Sequence, residues 1–219
     1  MASQHREDYV LIEIHEDTKL YTFQFLKDVI CSVSPFFQKA FQGYFLESRT
    51  KVIDISDVAV ENFRIFAKWV TTGQLEQQPL DIMLELYVMA DRLDIPTFRG
   101  AIIDNLTSYH CFKFDFEVPD TLLIVFMMEN IPKSLPIHAL LATAVARVLY
   151  HKPEGLEYLP YGFAVRVQNY LDKPYGICDA CLDHDQDHDH DGETHNIADN
   201  CEHFFNQPSD FDPHRYQEG

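Results

Sequence analysis

Residues 27–41 read KDVICSVSPFFQKAF, and this stretch decides how the chain is expected to fold. Ser34 is followed by proline, the pairing that suits a helix start. A serine hydroxyl accepts an orphan backbone N–H at the N-cap, and proline in the first turn has no N–H to leave unpaired. The stretch therefore predicts two short helices that meet at Ser34. Working outward, GYFLES at 43–48 leads to VIDISD at 52–57. Residues 51–56 read as a short strand that turns Ile53 and Ile55 inward. ENFRIFAKWVTTGQL at 61–75 then predicts a helix in which Val60, Phe63, Phe66, Trp69 and Val70 recur near 3.6-residue spacing. Asp57 or a neighbour is expected to cap that helix, and Gly73 to end it. A further helix is expected over residues 80–93, with Leu80, Met83, Leu84 and Tyr87 on its apolar side. Ile95-Pro96 breaks it, and the next helix starts near Thr97. Upstream, Val10, Ile12 and Ile14 alternate, the residues His15-Glu16-Asp17-Thr18 supply turn chemistry, and Leu20 to Phe23 resume an extended pattern. Residues 9–24 therefore predict a β-hairpin.

The order of these blocks resembles the BTB/POZ family over about the first 110 residues. Ser34-Pro35-Phe36-Phe37 matches the family's S-P-F-F block, and the resemblance implies that Phe36 and Phe37 anchor a helix in the core. Trp69 and Gly73 match the end of its W-x-Y-T-G block, with Thr71 in place of tyrosine. Ala90-Asp91-Arg92-Leu93-Asp94-Ile95-Pro96 matches A-D-x-Y-x-I-P, with Leu93 in place of the aromatic. Leu26 stands where the family commonly has histidine. The resemblance implies an α+β chain: a BTB/POZ fold, a small sheet with helical hairpins, followed by extra helices and a largely irregular acidic tail. It also implies a protein–protein interaction module and not an enzyme.

Composition narrows the function classes. The chain has 219 residues, 46% of them hydrophobic, and 17 Phe, enough apolar side chains to bury a substantial core. Its formal charge of −18 disfavours nucleic acid, whose phosphates need clustered Lys and Arg, and equally disfavours an anionic membrane surface. No uninterrupted apolar run reaches the ~18–20 residues that span a bilayer, and the polar Met1–Asp8 segment does not fit a secretory signal. The expected location is cytoplasmic, nuclear or both. Cys31 and Cys111 lie in apolar surroundings and read as small buried hydrophobes. The sequon Asn105-Leu106-Thr107 reads as coincidence in a chain without a secretory signal. No phosphate-binding glycine loop, nucleophile elbow, HExxH helix or kinase motif set is present, and no catalytic residue is assigned.

Three segments are expected: 1–110 as the BTB/POZ domain, 111–171 as a helical extension, and 172–219 as an acidic His/Cys-rich tail, disordered or ordered by a metal. In the extension, Val118, Leu122, Val125, Phe126 and Glu129 read as one helix face, with Pro119 early in that helix. Ile137, Leu140, Leu141, Ala144, Val145 and Val148 make a second stripe. Phe163, Val167, Tyr170 and Leu171 suggest a third helix. Such stripes must be covered, either by the BTB core or by a partner.

Two sites carry specific expectations. Phe45-Leu46-Glu47 fits the hydrophobic-x-Glu pattern that cullin-binding BTB domains place before this strand, so Phe45 and Glu47 are candidate partner-binding residues. An exposed aromatic can fill an apolar pocket while the carboxylate orients docking. The competing reading is that Phe45 caps the core. In the tail, Cys178-x-x-Cys181 and Cys201-x-His203 supply four donors that could close a tetrahedral structural zinc site, with His184, His188, His190 and His195 nearby in sequence. The competing reading is a solvated acidic tail, since 172–219 carries 13 Asp or Glu against two Lys or Arg. Expected partners are thus proteins: a second copy of the chain, a cullin, or both. The leading function is a scaffold or oligomerisation module, including the adaptor of a cullin-type ubiquitin ligase. The alternative is a zinc-binding regulatory protein.

Overall fold

The computed structural model describes residues 8–111, 116–151 and 153–172. These fall into two compact units that divide between Leu106 and Thr107.

The first unit begins with an antiparallel hairpin, β1 (Tyr9–Glu16) and β2 (Lys19–Leu26), registered Tyr9 to Leu26 through Glu16 to Lys19. The turn is tighter than the four residues read from the sequence. Strand pairing continues through Glu16, leaving Asp17 and Thr18 at the corner, with Asp17 in the left-handed region (φ 55°). Aspartate tolerates that conformation better than most residues. The strand β3 (Val52–Ile55) pairs parallel to β1, giving the order β2-β1-β3. A parallel neighbour needs a crossover, and the helices α1 (Lys27–Val33), α2 (Pro35–Gln42) and the single turn α3 (Glu47–Thr50) supply it. Period-two alternation turns Val10, Ile12 and Ile14 to the core, all fully buried, beside Phe25, Ile53 and Ile55.

Three helices complete the unit. α4 (Val60–Thr72) places Phe63 and Phe66 against Phe25, and Phe66 also meets Trp69 and Phe98 of α6 (Pro96–Leu106), at 5.3–6.5 Å between ring centroids. α4 ends at Gly73, whose φ of 70° suits glycine and whose N–H donates to the Trp69 carbonyl. Its start differs from the expectation. Asp57 does not cap the helix; it sits at φ 64°, and Ala59 is the N-cap residue. The Val60 N–H donates instead to Glu16 Oε1 at 3.2 Å, so the capping carboxylate comes from the end of β1, 44 residues upstream. α5 (Leu80–Arg92) is buried more broadly than one stripe, since Leu86, Val88, Met89 and Ala90 join Met83, Leu84 and Tyr87. The α5–α6 corner is pinned by the Asp91–Arg99 ion pair and by left-handed Asp94. Near the end of α6, Asn105 is 6% exposed and its amide donates to the Leu75 carbonyl, so the folded unit withholds this sequon side chain.

In the second unit a π-helical turn (Thr107–Cys111) precedes α7 (Thr121–Asn130), α8 (Pro136–His151), a 3-10 turn (Pro153–Tyr158) and α9 (Tyr161–Asp172). α7 departs from the stripe read in the sequence. Asp120 caps it, its Oδ1 accepting the Leu123 N–H at 2.8 Å, so Val118 and Pro119 precede the helix. Ile124 and Met127 are its buried residues, whereas Leu122 is 81% exposed. With apolar residues around most of its circumference, this helix has no phase legible from sequence. The α8 stripe is buried as expected except that Leu149, and not Val148, closes its carboxyl end. α9 buries Phe163 and Val167, one turn apart.

His138 in α8 is buried, and its Nε2 donates to the Ile131 carbonyl at 3.0 Å. Burial, together with the Arg166 and Lys133 cations, holds its pKa below 6.5, although the Ile131 hydrogen bond works the other way. A depressed histidine pKa means that the unfolded chain takes up a proton the folded one refuses. Its contribution to stability is complete above about pH 6.5 and falls as the pH drops through that value toward the folded pKa. Denaturant midpoints measured between pH 8 and pH 5 should therefore fall more for the wild type than for His138→Gln. Equal declines in the two proteins would refute this assignment.

Candidate docking surface

α2 ends at Gln42, and the chain turns sharply at Gly43, whose N–H donates to the Lys39 carbonyl at 2.9 Å. A Cβ on residue 43 would overlap that same carbonyl oxygen, so the close approach requires glycine here although its φ is an ordinary −81°. The next three side chains stand in solvent. Tyr44 is fully exposed, Phe45 is 61% exposed and Leu46 is 70% exposed.

The backbone beneath them is held firmly. The Phe45 carbonyl accepts both the Ser48 N–H and the Ser48 hydroxyl, at 3.2 and 2.7 Å. The Leu46 carbonyl accepts the N–H groups of Arg49 and Thr50, and Thr50 Oγ1 donates to it as well. α3 closes at Lys51, left-handed at φ 61°, whose N–H donates to the Glu47 carbonyl. Three large apolar side chains are thus presented on a hydrogen-bonded turn. Exposed apolar groups cost solvation free energy, and a contiguous cluster of them marks an interaction surface more often than chance.

Of the candidate residues named from the sequence, Phe45 and Glu47 lie here. Phe45 does not close the core, since most of its ring is in water; Phe37 and Phe41 fill the core beneath α2. Phe36, read as a core anchor, is also a surface residue at 36% exposure. The Glu47 carboxylate makes no hydrogen bond or ion pair among the described residues, so it is available to a donor on a partner. Tyr44 and Leu46 were not singled out by sequence. The only available signal was an apolar triplet directly after a glycine that ends a helix.

Cys178, Cys181, Cys201 and His203 lie outside the described residues. Among the described residues no cluster of His, Cys, Asp or Glu is arranged to hold a metal ion. Cys31 and Cys111 are buried free thiols. Burial pushes the Cys111 thiol up to about 12, which keeps it protonated and unreactive. No helix of the described residues is long and apolar enough to cross a membrane.

Residues 10–109 match the family model described as BTB/POZ domain. The first unit is a BTB/POZ domain. No curated protein matches the chain. Among solved structures, the chain is similar to the BTB (Tramtrack and Bric a brac) domain of human Gigaxonin. That match has a TM-score of 0.36 at 14% identity and covers 43% of this chain and 74% of that one. A BTB/POZ domain is a protein–protein interaction module, and the exposed turn at residues 44–47 is part of this one.

Proposed function

We propose that the protein is a docking scaffold whose BTB/POZ domain recruits a partner through the Tyr44–Glu47 turn, as the adaptor of a cullin-type ubiquitin ligase would. The carrying observation is the run of three exposed large apolar residues next to the Glu47 carboxylate, which has no partner among the described residues. An apolar anchor supplies affinity on entering a pocket, and the carboxylate fixes orientation. This reading fits a protein of the cytoplasm or nucleus, and it accommodates self-association of the BTB/POZ domain as a second use of the same unit.

The test is capture of a cullin amino-terminal domain by the folded full-length chain. Phe45→Ala is expected to weaken capture at least about tenfold, and Phe45→Ala with Glu47→Ala to abolish it, while the melting temperature stays near that of the wild type. Wild-type protein that is folded and does not capture the domain would end the adaptor reading. Sedimentation of the same preparations reports whether the chain forms dimers.

The cysteine and histidine spacing of the tail supports a second role, zinc binding by Cys178, Cys181, Cys201 and His203. Metal analysis of untagged protein should return about one zinc per chain, lost on Cys178→Ser. Metal-free protein, or retention of zinc by that variant, would exclude this four-donor site.

A further inference from the structure

Within the first unit, the proposed docking turn lies in a stretch poor in acidic residues. The chain holds 35 Asp and Glu, yet between Val29 and Ile53 Glu47 is the sole acidic residue, among Lys39, Arg49 and Lys51. The basic side chains of the first unit mostly have partners. Lys27 and Lys51 face Asp8, Arg64 faces Glu61, Lys68 faces Glu76, Arg99 faces Asp91, and Arg92 donates to the Asp57 carbonyl. Lys39 and Arg49 have none among the described residues, and both are exposed. They bracket the turn: the Lys39 carbonyl receives the Gly43 N–H, and the Arg49 N–H reaches the Leu46 carbonyl.

We infer that the surface formed by Lys39, the Tyr44–Leu46 turn and Arg49 selects a protein partner whose apolar pocket is rimmed by carboxylates. The inference rests on the docking reading above and adds the partner's charge to it. The net charge of −18 works against an acidic partner overall. On the described surface of the first unit it meets Lys39 and Arg49, two cations with no carboxylate partner among the described residues, on either side of the apolar triplet, so charge steers it to the place where burial can follow. Lys39 and Arg49 act on the approach, and Tyr44, Phe45 and Leu46 act on the lifetime of the complex. Glu47 adds one demand, a hydrogen-bond donor inside the acidic rim.

The experiment measures association and dissociation rates of the full-length chain with a cullin amino-terminal domain as the probe. Ionic strength is varied from about 0.01 to 1 M, over which the screening length shrinks from about 30 to about 3 Å. The association rate should fall with salt. Reversing both charges, Lys39→Glu with Arg49→Glu, should lower it by on the order of tenfold at low salt while changing the dissociation rate little. Lys39→Gln with Arg49→Gln should fall between. Lys19→Glu is the control, because Lys19 also lacks a partner among the described residues but sits at the far end of the eight-residue hairpin strands from Lys27 and Lys51. It should leave the rate nearly unchanged. Rates that ignore salt and the double reversal, or a Lys19→Glu effect as large as the double reversal, would overturn the inference and leave docking through Phe45 standing. Absence of any binding by the wild type would overturn the docking reading and this inference with it.

Discussion

Phe66→Ala is expected to lower the stability of the BTB/POZ domain by about 3–5 kcal/mol. Phe66 is fully buried at the point where the sheet, α4 and α6 meet. Its ring lies 5.3 Å from both Phe63 and Phe98, 6.1 Å from Trp69 and 6.5 Å from Phe25. Truncation removes the apolar transfer contribution and leaves a cavity walled by rigid aromatic rings, which relax poorly into the space. Loss of the edge-on contact with Phe63 adds to this. Phe66→Leu should cost less, because part of the volume is kept. Denaturant unfolding measures both variants. A cost below about 1 kcal/mol for alanine would contradict the placement of this ring at the centre of the core.

The second large effect is expected at Ser34, where a loss of about 2–4 kcal/mol follows replacement by alanine. Ser34 is fully buried and uses its hydroxyl twice. Oγ accepts the Phe37 N–H at 3.2 Å, capping α2, and donates to the Leu93 carbonyl at 2.7 Å, 59 residues away. Alanine removes the cap and also strands a buried carbonyl, so two penalties combine where an ordinary N-cap variant shows one. Ser32→Ala, which loses only an exposed bond to the Val29 carbonyl, should stay within about 0.5 kcal/mol and serves as the comparison. Similar losses for the two serines would show that neither the cap nor the Leu93 contact contributes.

Ser34 also shows how far the sequence could be read. Its role as an N-cap was legible because capping is local: a serine, a proline and a helix pattern stand side by side. Its bond to Leu93 was not, because nothing in the sequence reports which carbonyl of a distant helix end will lie above it. The start of α4 repeats the lesson. Asp57 had the right chemistry and proximity, yet the N–H of Val60 is taken by Glu16 from the neighbouring strand. Helix α7 marks a different limit, because a segment apolar on nearly every side carries no phase. Its exposed Leu122 and buried Ile124 became distinguishable only with the fold in place. For the candidate site, Phe45 and Glu47 were named from their spacing, but whether the phenylalanine faced core or water was left open.

By itself, the sequence determined what depends on neighbours along the chain: the alternation that makes the hairpin, the Ser34-Pro35 junction, the stop at Gly73 and the order of blocks that marks a BTB/POZ domain. The tertiary structure decided what depends on which surfaces are already occupied. Tyr44, Phe45 and Leu46 are as apolar as the residues of the core, and composition alone would bury them. They are exposed because Phe37 and Phe41 fill the core beneath α2, and because a glycine pressed against the Lys39 carbonyl turns the chain outward. A close-packed interior admits a limited set of side chains, and those that it leaves outside form the surface on offer to a partner.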